Sequence, residues 1–334
     1  MKQFKLLASF AMILALIVVM LGAYTRLTHA GLGCPDWPGC YGKLLVPTQV
    51  SEQIAVQKHY PTAPLETQKA WTEMIHRYVA GTLAVLIVVL NILAWRRHSD
   101  GIPRGLPAFL LGLIGFQAAL GMWTVTLKLL PIVVMGHLLG GLLIFGGLVY
   151  LNLMLHARLP RFAYTPSRFW LHLAVVIVFC QIALGGWVSA NYAGLACVGF
   201  PQCNGQWLPL LNWKSGFQFW STLGINYQGG VLDSASRMAI QMVHRIGAFI
   251  TVVYLFGLAV GLLKKINTSY MRNSVMAVLV LLFAQFALGI INVIHMLPLW
   301  AAVAHNGMAA LLFASVLNLH FTGCRIGASH VRSV

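Results

Sequence analysis

The chain has 334 residues, of which 59% are hydrophobic and 8% are charged, and its formal net charge is +16. A soluble domain carries about 25% charged residues, so this composition excludes a soluble globular protein and indicates a membrane protein with several spans. The positive charge does not indicate nucleic-acid binding, because the lysines and arginines are scattered between apolar segments and form no basic module.

Eight apolar segments are long enough, at about 20 residues each, to cross a bilayer. In chain order they cover residues 6–25, 71–94, 106–126, 131–155, 169–190, 236–262, 272–294 and 298–320. No small-residue cleavage site follows the first segment, so we interpret it as a span and not as a signal peptide.

Basic residues mark alternate connections between these spans. The termini and every second connection contain Lys2, Lys5, Arg96, Arg97, Arg104, Arg158, Arg161, Arg168, Lys264, Lys265, Arg272, Arg325 and Arg332. The positive-inside rule therefore predicts that both termini are cytoplasmic.

Two similar cysteine-containing segments follow the first and fifth spans, "GLGCPDWPGC" at 31–40 and "AGLACVGFPQC" at 193–203. The orientation above places both outside the cytoplasm, where disulfides persist. Local pairing then predicts the disulfides Cys34–Cys40 and Cys197–Cys203. A metal site is the competing interpretation, but this spacing matches no common zinc motif. The two other cysteines, Cys180 and Cys324, lie inside a predicted helix and near the C-terminus.

The chain contains an internal repeat. "LGAYTRLTHAGLGCPDWPGC" (21–40) aligns with "LGGWVSANYAGLACVGFPQC" (184–203), and "EMIHRYVAG" (73–81) aligns with "QMVHRIGAF" (241–249). Each half has four spans, and an even number keeps both halves in one orientation. We therefore predict an all-α membrane protein of two parallel-repeat four-helix bundles, residues 1–160 and 161–334, joined by the basic segment around 158–168.

Four histidines are paired by this repeat, His76 with His244 and His137 with His305. Within each half the two imidazoles are predicted at one depth, about 8 Å below the outer helix ends, on helices that can lie diagonally across a bundle. Two axial histidines indicate heme, because zinc or copper usually takes more ligands. Glycines such as Gly121 and Gly289 either leave room for the macrocycle or allow close helix packing. Single histidines near helix ends are interpreted as interfacial: His98, His156, His172 and His320.

Glu73 is the one acidic residue inside a predicted span. It precedes His76 by three residues, shares its helix face, and is predicted to project toward whatever His76 binds. An intramembrane carboxylate suggests function, although it could also orient a ligand or pair with Arg77. The equivalent residue in the second half is Gln241, which cannot exchange a proton. The first half is therefore predicted to be reactive and the second to relay electrons. Two arginines could neutralise heme propionates or extend to the interface: Arg77 and Arg245.

These features together resemble the heme A synthase family. The resemblance covers nearly the whole chain and is carried by "GAYTRLTHAGLGCPDWPGC", "EMIHRYVAG", "GH" at 136–137, "HRIGA" at 244–248 and "AHNG" at 304–307. It implies oxidation of a ring methyl of heme O to the formyl group of heme A, by successive hydroxylation and dehydration. It also implies the substrate heme between His76 and His137, a heme b cofactor between His244 and His305, and Glu73 at the family's essential carboxylate.

The resemblance also sets expectations about location and partners. The expected location is the bacterial inner membrane. The expected partners are its lipid, heme O synthase (a protoheme farnesyltransferase) and cytochrome oxidase assembly factors, and self-association is left open. The main alternative is a di-heme b-type membrane cytochrome that only transfers electrons, and a heme carrier is a third hypothesis. The cysteine loops are expected either to cover the two sites or to exchange thiols with a partner.

Overall fold

The computed structural model describes residues 1–96, 102–156, 166–266 and 268–331, with side chains as far as Cys324. Arg97, His98, Arg158, Arg161 and Arg332 of the predictions above lie outside the described residues. The helices of the described ranges are α1 (Lys2–Leu27), α2 (Val50–His59), α3 (Thr67–Arg96), α4 (Gly105–Thr126), α5 (Pro131–His156), α6 (Arg168–Ala190), α7 (Trp213–Gly216), α8 (Ser234–Leu263), α9 (Ser269–Ile294) and α10 (Leu299–Val331).

Eight of these helices are long and apolar enough to cross a membrane, and they correspond to the eight predicted spans. The prediction of an all-α membrane protein is confirmed, while α2 and α7 are short helices within the connections after α1 and α6. Local chemistry explains several helix starts. Pro131 occupies the first position of α5, where its missing N–H costs nothing. The Asp233 carboxylate accepts the Ser236 amide at 2.6 Å and caps α8.

The membrane-spanning helices form two rings of four. In the first bundle α1, α3, α4 and α5 each pack against the next, and α5 packs back on α1. The second bundle repeats this ring with α6, α8, α9 and α10. In each ring the second and fourth helices are diagonal to one another, as predicted for the helices that carry the histidines. The bundles meet through three helix pairs: α1 with α10, α5 with α6, and α5 with α10.

The middle of α1 presents small residues to the inside and large ones to the outside. Ala8, Ala11 and Ala15 of α1 are buried, which lets this helix approach its neighbours closely. Phe10 and Ile13 on the opposite face of α1 are 52% and 55% exposed. Large apolar side chains that face outward from a helix bundle are suited to lipid and not to water.

Candidate functional site

The two histidines of the first half meet inside the first bundle. His76 lies on α3 and His137 on α5, and their ring centroids are 6.4 Å apart with the planes at 79°. Two metal–imidazole bonds of about 2 Å in line would separate the centroids by about 6 Å. Because α3 begins at Thr67, four residues before the predicted span, His76 lies about 14 Å from its helix start and not about 8 Å.

Each of the four histidines packs against a glycine on a neighbouring helix. The four pairs are Gly22–His76, Gly121–His137, Gly185–His244 and Gly289–His305. A Cβ on any of these glycines would lie 3.1–3.2 Å from an imidazole carbon, closer than side chains normally pack. These glycines therefore make room for the imidazoles. Of the two interpretations of Gly121 and Gly289, these contacts favour close helix packing.

A glutamine precedes three of the four glycines by one helical turn. Gln181 donates to the His244 carbonyl and lies 3.1 Å from His244 Nδ1. Gln117 donates to the His137 carbonyl at 2.5 Å, and Gln285 lies 3.2 Å from His305 Nε2. The equivalent position beside His76 is occupied by Val18, which offers no hydrogen bond.

Unpartnered polar atoms in this arrangement test whether the histidines could hold heme iron. The buried Nδ1 atoms of His76, His137 and His305 have no hydrogen-bond partner, and neither have the amide oxygens of the three glutamines. If the Gln181 amide turned over and gave up its bond to the His244 carbonyl, its oxygen could accept a proton from His244 Nδ1 and leave Nε2 for a metal. Two buried neutral imidazoles held this way fit the axial ligation of heme.

Glu73 of α3 is 4% exposed and has two partners. One carboxylate oxygen accepts the Cys34 amide at 2.9 Å, and the other pairs with Arg77 at 2.5 Å. The carboxylate thus connects α3 to the first cysteine loop (residues 28–49). Both oxygens engage the loop side, and the orientation of Glu73 toward the ligand of His76 stays a prediction. In the second bundle Gln241 donates to the Gly194 carbonyl at 3.4 Å.

Arg77 and Arg245 hold the two cysteine loops in the same way. Arg77 donates to the carbonyl of Gly39 at 2.5 Å, and Arg245 donates to that of Gln202, its repeat equivalent, at 3.0 Å. Arg245 also donates to the Cys197 carbonyl at 2.8 Å. These contacts assign both guanidinium groups to the loops, whereas the sequence suggested propionate contacts or an interfacial position.

Both predicted disulfides are present. Cys34 is bonded to Cys40 and Cys197 to Cys203, and all four residues are buried. Each disulfide closes a small ring at the end of its bundle where the histidine-bearing helices begin. This end of the molecule is called the loop end. The two rings therefore cover the two histidine pairs from the same side of the molecule.

Comparison with known proteins agrees with this geometry. A family model described as cytochrome oxidase assembly protein matches residues 5–317. The chain is 44% identical over 322 residues to a protein named heme A synthase from Shewanella oneidensis, which covers 96% of each chain. Proteins of the same name from Caulobacter vibrioides and Rhizorhabdus wittichii are 30% and 28% identical over 91% of this chain and 90% and 89% of theirs.

The chain belongs to the cytochrome oxidase assembly protein family. The resemblance found in its motifs is thereby confirmed.

In this family member, a polar cluster that no motif along the chain predicts joins the two bundles. Arg26 of α1 donates to the Ser189 carbonyl at 2.6 Å and stacks over the Tyr192 ring at 3.7 Å. His29 and Tyr192 stack in parallel with their centroids 5.6 Å apart. Arg26 aligns with Ser189 and His29 with Tyr192 in the repeat, so equivalent positions touch across the bundle interface. Such a contact cannot be found from one half alone.

Proposed function

We propose that this chain is a heme A synthase, which oxidises a ring methyl group of heme O to the formyl group of heme A. The name carried by the relatives supports the activity. The observation that carries the proposal within the molecule is the pairing of His76 with His137 beside the buried Glu73. The first bundle thus has two imidazoles with an acid nearby. The second bundle has the two imidazoles but no acid at the equivalent position.

The two bundles have different roles in this proposal. Residues 1–160 bind the substrate heme through His76 and His137, and residues 161–334 bind a heme b cofactor through His244 and His305. Glu73 against Gln241 is the basis of the assignment, because only the carboxylate can take up a proton. The heme groups supply the redox chemistry, while the protein supplies ligands, orientation and proton transfer.

Glu73 is the proposed proton acceptor as the methyl group is oxidised. Its pairing with Arg77 places a positive charge beside the carboxylate inside an apolar bundle and holds both side chains near the loop. The contact with the Cys34 amide makes the position of this acid dependent on the first cysteine loop. The loop therefore positions the acid as well as covering the site.

His76 is the proposed releasable ligand. His76 and His137 would both hold the substrate heme, and chemistry at its iron would need one of the two imidazoles to let go. The His137 carbonyl accepts a hydrogen bond from Gln117, whereas Val18 stands in the equivalent place beside His76. A ligand held by fewer outer contacts binds more weakly. The Val18→Gln variant should therefore hold the substrate heme more tightly. Transfer of the heme to apomyoglobin measures this, and it should be slower than in the wild type.

The membrane orientation is part of the proposal. Both termini face the cytoplasm of a bacterial cell, the chain spans its inner membrane, and the cysteine loops lie outside the cytoplasm. A role in oxidase assembly follows from the family, and the proposed direct partners are heme O synthase and oxidase assembly factors. A reporter fused after Val334 should be active only in the cytoplasm, and periplasmic activity would contradict this orientation.

A di-heme electron-transfer cytochrome is the alternative, and the glycine packing that all four histidines share favours it. Extraction and chromatography of the bound hemes separates the two functions. Heme O and heme A beside heme B support the synthase, whereas heme B alone supports the cytochrome.

Replacing His244 or His305 should remove heme b and leave the first bundle folded. Retention of heme b in both variants would contradict the assignment of the second site.

A further inference from the structure

Three potential metal ligands meet at the end of the second bundle opposite the loop end. His172 lies in the first turns of α6, and His320 and Cys324 lie one turn apart near the end of the apolar part of α10. One donor atom from each residue lies within 4.8 Å of the others. The sequence alone predicts two separate interfacial histidines, because nothing along the chain relates α6 to α10.

The distances within this cluster match those of a chelate. Cys324 Sγ lies 3.5 Å from His320 Nε2. Zinc bonds of about 2.3 Å to sulfur and about 2.0 Å to nitrogen place two such ligands about 3.5 Å apart at a tetrahedral angle. The His172 and His320 rings are also in contact, with their centroids 4.5 Å apart at 82°.

A backbone contact prepares His172 for ligation. Its Nδ1 lies 2.6 Å from the Arg168 carbonyl, which can only be a hydrogen bond donated by Nδ1–H. This tautomer leaves Nε2 as a lone-pair donor, and metal-bound histidines are commonly oriented by such a bond. The nearby Arg168 guanidinium donates to the Cys324 carbonyl, 3.4 Å away. Arg168 is not one of the three potential metal ligands.

We propose that His172, His320 and Cys324 bind one zinc ion that clamps α6 to α10. Two imidazoles and a thiolate are the ligands zinc prefers, and the exposed side of His172 leaves a fourth position for water. In the proposed orientation this end of the bundle faces the cytoplasm, where Cys324 stays reduced and available. The site is independent of the proposed heme chemistry, since it lies at the other end of the bundle from the cysteine loops.

Alkylation of Cys324 in the intact purified protein tests the proposal. In a Cys180→Ser background the other four cysteines form disulfides, which leaves Cys324 as the free thiol. The protein is purified without a polyhistidine tag, stripped with chelator and incubated with one equivalent of Zn²⁺. Zinc should slow maleimide labelling at least about tenfold, since tight coordination removes the free thiolate, and one zinc per chain should survive gel filtration.

Matched variants separate a built site from nonspecific binding. His172→Ala and His320→Ala should each abolish protection and zinc retention, with heme content reporting that the fold is intact. His156→Ala is the control, because His156 also bonds a backbone carbonyl at a helix end but lies outside the cluster. Unchanged labelling with zinc would overturn the proposal. The proposal would also be overturned if His156→Ala lost zinc as completely as His172→Ala and His320→Ala, or if His172→Ala and His320→Ala both retained zinc.

Discussion

Glu73 and Gln241 occupy equivalent positions but make different contacts. The Glu73 carboxylate accepts the Cys34 amide and pairs with Arg77, whereas the Gln241 amide donates to the Gly194 carbonyl. Both side chains are 4% exposed, so the same buried space accommodates an acid and its uncharged isostere. The difference between the bundles at this position is therefore chemical and not steric.

Glu73→Gln tests the chemical role of this acid. The amide oxygen can still accept the Cys34 amide, so the loop should stay in place, while the proton acceptor and the ion pair with Arg77 are lost. Loss of one acid–base group costs about 10²–10⁴-fold in rate, so heme O or a hydroxylated intermediate should accumulate in extracted hemes. Gln241→Glu is the control and should leave product formation unchanged. Heme A formation at the wild-type rate in Glu73→Gln would make Glu73 structural.

At the scale of helices, each histidine-bearing helix is matched by a neighbour that carries a glycine, and three of these neighbours also carry a glutamine. The glycine sets the distance at which two helices meet, and the glutamine is one turn away on the same face. The heme-binding geometry proposed here is therefore a property of helix pairs, such as α6 with α8, and not of single histidines.

Two adjacent glycines of α6 allow a matched test of this packing. A Cβ at Gly185 would lie 3.1 Å from His244, whereas one at Gly186 would make an ordinary 3.5 Å contact with Met135. Overpacking a tight site costs about 1–3 kcal/mol, so Gly185→Ala should weaken heme b binding about 5- to 150-fold. Gly186→Ala should bind heme b normally. Transfer of heme to apomyoglobin measures both, and equal rates for the two variants would contradict the proposed role of Gly185.

Gln181 is expected to set the orientation of the His244 ring. Removing an outer hydrogen bond from a metal-bound histidine typically costs about 10- to 100-fold in affinity, so Gln181→Leu should release heme b faster by that factor. Gln181→Glu retains an acceptor for Nδ1–H, so it should keep heme b and lower its reduction potential. If Gln181 only fills space, Gln181→Leu should retain heme b normally, because leucine is close to glutamine in size. Redox titration of Gln181→Glu would then show no shift in the reduction potential.

At the scale of the whole molecule, the two bundles are joined by helix packing and by a polar contact near the loop end. Arg26 reaches from α1 of the first bundle to the Ser189 carbonyl and the Tyr192 ring of the second. A guanidinium over an aromatic ring is attracted by its negative face, and this attraction grows where water is excluded. The contact therefore fixes the position of the bundles relative to each other.

Arg26→Met should loosen this connection without emptying either histidine site. A hydrogen bond to a charged group contributes about 1.5–3 kcal/mol, so the variant should lose heme at a lower temperature in detergent. Tyr192→Leu should act in the same direction through loss of the ring. Thr28→Ala serves as the control, because Thr28 bonds only to carbonyls of its own helix. A thermal midpoint for Arg26→Met equal to that of wild type would show that helix packing alone joins the bundles.

The sequence by itself determined the eight spans, the two disulfides and the internal repeat. These follow from signals that are local along the chain: apolar length, cysteine spacing and self-similarity. It also paired the four histidines, because the repeat reports equivalent depth without any structure. Only the tertiary structure decided which side chains surround them. The glycines and glutamines act across helix interfaces, Glu73 is turned toward a loop 39 residues earlier in the chain, and His172 reaches His320 only through the packing of α6 on α10. Helix rotation and neighbour choice are set by close packing of the whole bundle, and no short stretch of sequence contains that information.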